Sequence, residues 1–324
     1  MTEAYEQLEQ LWSSYSRQCH SVGCANGTAA LHLALETLRI PQGSQVIIPE
    51  FSMIAVARAV TAAGLMPVPV DCGSELNIDP LAIQDYVNCN TRAIIVVHTY
   101  GRYCSMDRIA KIANRHGLKL IEDCAEVGPR PPSDHSANQT QTDARCWSFY
   151  KNKIVAGEEG GMCCFKNRGH YMLARKLRCQ GFTDAHDFIH IPRGFNYRLS
   201  NANARLILEH LNQVETNLEL RRKIVKWYDQ ATPNHWKMPP RDDPWVYDLR
   251  PPVRDVAALV SRLNSVDIQA RQAFKPVSGQ PEYRAHYKHL RAWQYSQQVM
   301  YLPIYPHYTQ NTVRTVMQAV TTSL

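Results

Sequence analysis

The chain contains no apolar run approaching the roughly 20 residues that cross a bilayer, so no segment reads as a membrane span. Its opening, Met1-Thr2-Glu3-Ala4-Tyr5-Glu6, is acidic where a secretory signal would be basic and then apolar, which makes the cytoplasm the expected compartment. Ten cysteines are present, yet none forms a CxxC pair or a Cys/His grouping with zinc spacing. They lie in apolar contexts such as Glu122-Asp123-Cys124-Ala125 and Gly161-Met162-Cys163-Cys164-Phe165, as small buried hydrophobes of a reducing compartment do. No metal site is expected. The net charge of +7 comes from 36 basic and 29 acidic residues, but the basic ones are dispersed and no nucleic-acid recognition module is present. A mildly basic enzyme acting on anionic substrates accounts for that balance. Internal repeats and low-complexity tracts are also missing.

What is present is an ordinary globular composition, 44% hydrophobic and 20% charged over 324 residues, enough for one large domain and a smaller one. Residues 3–18 read as an amphipathic helix with Leu8, Leu11 and Trp12 on one side. A tight Asn26-Gly27-Thr28 turn opens a helix running to about Leu38. Strand signals at 46–49, 67–71, 91–98 and 118–121 then alternate with helical ones at 53–63 and 106–116. Short apolar strands separated by helices predict a mainly parallel sheet covered on both faces. The stretch 130–143 is polar and proline-bearing, hence a loop. Residues 200–230 form one long helical pattern, and the domain boundary is placed near its middle, giving a large domain over 1–215 and a small one over 216–324. The small domain is Pro-rich at 233–252 and closes in a helix from about Thr309.

One segment carries the chemistry. Lys153 lies in Ser148-Phe149-Tyr150-Lys151-Asn152-Lys153-Ile154-Val155-Ala156-Gly157-Glu158-Glu159-Gly160-Gly161, downstream of an acid at a strand end, Ile121-Glu122-Asp123. An amine, a hydroxyl, a Gly-rich return and a distant aspartate are the parts needed to hold pyridoxal 5′-phosphate. The amine forms a Schiff base with the aldehyde, the carboxylate keeps the pyridine nitrogen protonated, and hydroxyls with backbone N–H groups take the phosphate. Gly27 and Thr28 sit where helix N-terminal N–H groups meet a phosphate. Asp123 ends a buried strand, where ligands of α/β sheets collect. Each feature has an ordinary reading alone: a cap, a turn aspartate, a strand serine, a hairpin glycine, a surface lysine. Their order along the chain matches one cofactor's needs.

With these motifs the sequence resembles the DegT-like nucleotide-sugar aminotransferases of the fold-type-I pyridoxal phosphate superfamily. The resemblance rests on Asn26 through Leu35, His98-Thr99-Tyr100-Gly101, Glu122-Asp123-Cys124-Ala125-Glu126, Ser148 through Gly161, Gly194 through Arg198, and Leu302-Pro303-Ile304-Tyr305-Pro306. Glu126, where many relatives carry Gln or His, looks most like the GDP-perosamine synthase branch. So do Arg271-Gln272-Ala273-Phe274-Lys275-Pro276 and Gln280-Pro281-Glu282-Tyr283. The resemblance implies a mainly parallel central sheet flanked by helices, with a smaller C-terminal α+β domain. It implies that Lys153 is the Schiff-base lysine and proton shuttle, and that Asp123 pairs with the pyridinium nitrogen. Glu126 would lie near the ring hydroxyl, with Gly27, Thr28 and Ser148 around the phosphate. Asn196 would reach the phosphate of a neighbouring subunit, so a homodimer with shared sites is expected. Retention of the lysine, which histidine replaces in the sugar 3-dehydratases of the family, argues for amino transfer.

Three departures stand out. Met53 of Pro49-Glu50-Phe51-Ser52-Met53-Ile54 falls where relatives place an aromatic ring over the cofactor, so a sulfur contact is expected there instead. The family's opening segment is missing and the C-terminal domain looks shortened. Lys151 stands before Asn152 where a small residue is common, so two lysines flank that asparagine, and Lys153 keeps the family spacing to Ser148 and Gly160. The expected reaction moves an amine from glutamate to a keto-sugar nucleotide such as GDP-4-keto-6-deoxymannose, with Arg193, Arg198 and Lys275 as cations for the nucleotide. Two other readings stay open: transamination of another ketone such as a ketocyclitol, and a non-catalytic binding or regulatory protein on the same fold.

Overall fold

The computed structural model describes residues 3–16, 20–129, 142–182, 188–284 and 290–324. Of the expected loop over 130–143, only residues 142 and 143 fall within that description. The main sheet is built from β1 (His20–Cys24), β2 (Gln45–Pro49), β3 (Met66–Val70), β4 (Thr91–Val97), β5 (Lys119–Asp123), β6 (Ala144–Ser148) and β7 (Gly161–Phe165), in the order β1-β7-β6-β5-β4-β2-β3. β7 runs antiparallel to both of its neighbours, and the remaining pairs are parallel.

Parallel neighbours need crossover connections, and the crossovers cover both faces of the sheet. The helices that do so are α1 (Ala4–Tyr15), α2 (Gly27–Thr37), α3 (Ala55–Ala62), α4 (Pro80–Tyr86), α5 (Met106–His116), α6 (Arg168–Arg178) and α7 (Asn201–Asn212). Strand alternation divides the core between the faces. Ala93, Ile95 and Val97 of β4 pack with α2, α3 and α6, whereas Ile94 and Val96 pack with Ile83 of α4 and Ile109 and Ala113 of α5. Near β6 and β7 the second face is closed by Leu8 and Trp12 of α1 and Ile207 and Leu211 of α7, around Trp147 and Met162.

The helical pattern over 200–230 is two helices. α7 ends at Asn212, the φ of −109° at its cap Gln213 leaves the helical region, and α8 (Val214–Ala231) starts at once. Neither Gly nor Pro marks that break in the sequence. α8 contributes Val214 and Leu218 to the large core and Ile224 and Tyr228 to a second core. That second core lies beside a small antiparallel sheet of β8 (Tyr247–Leu249), β10 (Met300–Leu302) and β9 (Arg271–Gln272), in the order β8-β10-β9. The helices α9 (Val256–Asn264), α10 (Leu290–Gln298) and α11 (Gln310–Thr322) complete the chain. α11 is capped by Thr309, the expected start. No helix among the described residues is long and apolar enough to cross a membrane.

Candidate active site

The carboxyl ends of β4, β5 and β6 and the N-terminus of α2 open onto a cavity of about 690 Å³. It is lined by Gly27, Thr28, Met53, Asp123, Glu126, Ser148 and Lys153 from the first half of the chain, and by Trp245, Arg271, Phe274 and Tyr301 from the region of the small antiparallel sheet.

At one end lies an anion cradle. The first N–H groups of a helix have no intrahelical acceptor. Asn26 caps α2 by accepting the Ala29 N–H at 2.8 Å, which leaves those of Gly27 and Thr28 for a ligand. Helix and sheet approach too closely here for side chains. A Cβ on Gly27 would lie 2.7 Å from Ser148 Cβ, and one on Gly161 would lie 2.3 Å from the Asn26 carbonyl oxygen. Thr28 is exposed and Ser148 half-buried, so both hydroxyls can meet a bound group.

Deeper in the cavity two acids and one amine meet. Asp123 ends β5 and is buried, and its carboxylate accepts one hydrogen bond among the described residues, from the Ala125 N–H at 3.0 Å. Burial pushes its carboxyl above the ordinary range, against the pull of that N–H and of Lys153. Glu126 is also buried and accepts the Tyr100 N–H at 2.7 Å. Burial pushes it up to about 7, with the Lys153 charge and the Tyr100 N–H opposing and Asp123 reinforcing. Lys153 is half-buried, and desolvation lowers its amine while Glu126 and Asp123 oppose the drop. Of the two lysines flanking Asn152, Lys151 is exposed, with its amine over the Tyr150 ring at 5.8 Å. The loop that presents Lys153 is closed by Phe149 N–H to Gly160 O and Gly157 N–H to Phe149 O, both at 2.8 Å.

Met53 is 54% exposed and lines the cavity, while Phe51 is fully buried against Tyr100 and Phe274. Four expected residues lie outside the cavity. Asn196 and Arg198 flank Tyr197 in extended backbone, where successive side chains point in opposite directions. Tyr197 lines the cavity and bonds His32 Nδ1 at 2.9 Å, and its two neighbours are exposed. Arg193 pairs with Glu36 at 2.6 Å in a separate surface groove. Lys275 is exposed beyond β9, whose first residue, Arg271, is in the cavity wall. The sequence reading assigned no role to Trp245, Arg271, Phe274 or Tyr301. His98, Glu122 and Cys124 also lie close together, within 4.8 Å. The Glu122 oxygens are taken by Arg145 at 2.8 Å, Thr142 at 2.6 Å and His98 at 3.0 Å. Burial would raise that carboxyl, but Arg145 and His98 hold it below the ordinary range, so the cluster is a closed structural ion pair.

The cavity suits a flat, cationic ring bearing a phosphate and an aldehyde. A phosphate fits the side-chain-free cradle, a ring N–H fits the underbonded Asp123, and the Lys153 amine stands beside both acids. Sheet order and site together define a fold-type-I pyridoxal-phosphate-dependent enzyme. The chain belongs to the DegT/DnrJ/EryC1/StrS aminotransferase family, whose model matches residues 1–321, and pyridoxal 5′-phosphate is its cofactor. It is 34% identical to the GDP-perosamine synthase of Caulobacter vibrioides over 86% of this chain and 78% of that one. It is 29% identical to the dTDP-3-amino-3,6-dideoxy-alpha-D-galactopyranose transaminase of Aneurinibacillus thermoaerophilus, over 97% of this chain and 88% of that one. Among solved structures, DesV of S. venezuelae superposes with a TM-score of 0.88 at 27% identity, covering 99% of this chain and 89% of that one.

Proposed function

We propose that this chain transfers an amino group from glutamate to a keto-sugar nucleotide, a 4-keto-6-deoxyhexose of the GDP-4-keto-6-deoxymannose kind, giving a perosamine-type product. The observation that carries the reading is the Lys153 amine beside the buried Asp123 and Glu126 at the foot of the Gly27–Thr28 cradle. The likeness to the Caulobacter enzyme supports the choice of sugar.

When bound, pyridoxal phosphate supplies an aldehyde that condenses with amines and a ring that accepts electrons from the carbon being deprotonated. The first-turn N–H groups of α2, with the Thr28 and Ser148 hydroxyls, hold the phosphate. Asp123 takes the ring N–H and keeps its proton in place. Glu126, with a carboxyl near 7, accepts or donates at the ring hydroxyl. Lys153 would hold the cofactor through its aldehyde, and as a free amine beside Asp123 and Glu126 it would be the group placed to take up and return the proton that amino transfer moves. Its lowered affinity for protons suits a group that must act as base and then acid near neutral pH. Arg271 is the arginine of the described cavity lining and is proposed to meet the sugar-borne diphosphate.

We further propose a homodimer in which Asn196, exposed and outside its own cavity, reaches the partner's phosphate. Mixing an inactive Lys153→Ala chain with an inactive Asn196→Ala chain should then restore activity, because one hybrid site holds both native groups. A fully active monomer at assay concentration refutes the shared site. The substrate is tested by incubating the protein with glutamate and a panel of GDP-, dTDP- and UDP-linked keto sugars and ketocyclitols, reading products by mass. Amination of the GDP sugar in preference to the rest is expected. Preference for another nucleotide or for a ketocyclitol overturns the assignment.

A further inference from the structure

Trp245 comes from the proline-bearing stretch just ahead of β8, 93 positions from Asn152, yet it is built into the lysine loop. The Lys153 Nζ lies 4.0 Å from the centroid of the Trp245 ring. On the same side chain the indole Nε1–H donates to the carbonyl of Asn152 at 2.8 Å. The backbone carbonyl of Trp245 accepts from Arg221 Nη1 of α8 at 3.1 Å. The ring is buried and flanked by Tyr100 and Tyr301, with centroids 6.0 and 6.1 Å away. An apolar core tryptophan needs only area and one partner for its N–H. Here both the ring face and the N–H go to one dipeptide, Asn152-Lys153.

We propose that Trp245 is the positioning residue for Lys153, its ring face seating the lysine amine and its indole N–H pinning the residue before it. This rests on the reading of Lys153 as the cofactor lysine. A lysine side chain is long and freely rotating, and the wall around this one strips its ammonium of water. The negative face of an indole returns part of that lost stabilisation to the cation without a formal charge. The carboxylates of Asp123 and Glu126 draw the amine into the cavity, and the ring opposes them as a fixed stop. When the amine is released from the cofactor it is therefore held where its proton is needed. Trp245 is packed in the core cluster that also holds Trp147, Phe149, Ile154 and Val155, so the ring that seats the amine is fixed by the same core as the lysine loop.

The titratable and charged groups sharing the cavity with Lys153 are Asp123 and Glu126, His32 of α2, Tyr150 and Glu159 of its own loop, Tyr197, Arg271 of β9 and Tyr301 of β10. Tyr100 packs behind Trp245. All are unchanged when Trp245 alone is altered, so a difference between variants reads the ring. The test follows acylation of Lys153 by acetic anhydride across a pH series, in the full-length chain freed of cofactor, with peptide mass spectrometry. In Trp245→Leu the midpoint should fall by about one pH unit, making the neutral amine roughly tenfold more abundant at a fixed pH below it. Trp245→Phe, which keeps a ring face and loses the N–H, should recover most of the shift. The pH profile of kcat of the loaded enzyme should move in the same direction. An unchanged midpoint in Trp245→Leu overturns the proposal. If the leucine variant does not fold, fluorinated tryptophan keeps shape and N–H while weakening the ring face, and an unchanged Lys153 midpoint there overturns it equally. Borohydride reduction of the holoenzyme tests the underlying reading separately. Cofactor fixed to another lysine would sink that reading and leave the Trp245 effect on Lys153 standing.

Discussion

Replacing Glu126 with glutamine tests the electrostatic account of the site without touching any reacting atom. The Glu126 carboxyl is buried, beside a second buried acid, and pushed up to about 7 from an ordinary 4.5. In the unfolded chain it ionises near 4.5, so between 4.5 and 7 the folded state holds a proton that the unfolded state has lost. Stability from this group is therefore greatest at low pH, falls as pH rises through that window, and stays low above 7. At about 1.4 kcal/mol for each pH unit of difference, the ionised carboxylate costs the fold about 3 kcal/mol at pH 8. Glutamine carries no charge and keeps an oxygen for the Tyr100 N–H, so it avoids that cost. Part of the gain is returned, because Lys153 loses one of the two carboxylates that offset its own desolvation. The net expectation at pH 8 is a stabilisation of about 1–2 kcal/mol in the cofactor-free protein, fading to none below pH 4.5. Urea unfolding of wild type and variant from pH 4 to 8 measures it. A stability difference that does not change with pH, or one that grows toward acid, refutes the reasoning.

Lys153→Ala should abolish both turnover and the visible absorbance of bound cofactor, while Lys151→Ala, whose amine lies outside the cavity, should retain both. Loss of the chromophore in the Lys151 variant alone would reverse the assignment. Asp123→Asn should leave the fold intact and cut turnover by several orders of magnitude, since an amide cannot hold the ring nitrogen's proton, and near-normal kcat would remove Asp123 from the site. Gly27→Ala would set a Cβ 2.7 Å from Ser148 Cβ. Forcing the cradle apart costs about 1–3 kcal/mol, so cofactor titration should show affinity weakened by roughly ten- to a hundredfold, and unchanged affinity would place the phosphate elsewhere.

The cavity wall formed by Asn26 to Thr28, Asp123 to Glu126 and the lysine loop was legible because it is written locally. Asn26 to Thr28, Asp123 to Glu126 and Ser148 to Gly161 are short segments at strand ends and helix starts, where particular residues are demanded by a cap, a close approach or a charge. The strands at 46–49, 67–71, 91–98 and 118–121 were legible for a different reason: each has a short, mostly apolar and mostly buried core, such as Val46-Ile47-Ile48 and Ala93 to Val97. β6 and β7, the two strands that frame the lysine loop, were not singled out as strands. Ala144-Arg145-Cys146-Trp147-Ser148 mixes a charge and an aromatic, and its Arg145 is tolerable inside only because Glu122 of β5 lies beside it. That partnership is a tertiary fact that no window of sequence displays.

The opposite wall was illegible for the same reason. Trp245, Arg271 and Tyr301 come from three separated strands or strand approaches, and their side chains converge only after the small sheet has formed. Parity decided the rest. Tyr197 faces the cavity, so Asn196 and Arg198 cannot do so from the same extended segment. The sequence showed that a polar loop was present but not that Tyr197 would be its residue facing this chain's own cavity.

The site is also strained electrostatically, and the strain has a direction. Two buried carboxylates face one amine, and burial drives all three toward their neutral forms, Asp123 and Glu126 upward and Lys153 downward. A core selected for stability alone would have removed one acid or added a cation, as it did at Glu122, whose carboxylate lies against Arg145 and His98. The two acidic sites lie at the end of one strand, one closed by a guanidinium and the other left short of positive charge. A protonated ring nitrogen supplies what the second site lacks, so binding it should relieve the frustration as well as enable the chemistry. On the proposed reading, the same imbalance that weakens the empty fold should become affinity for a cationic ring.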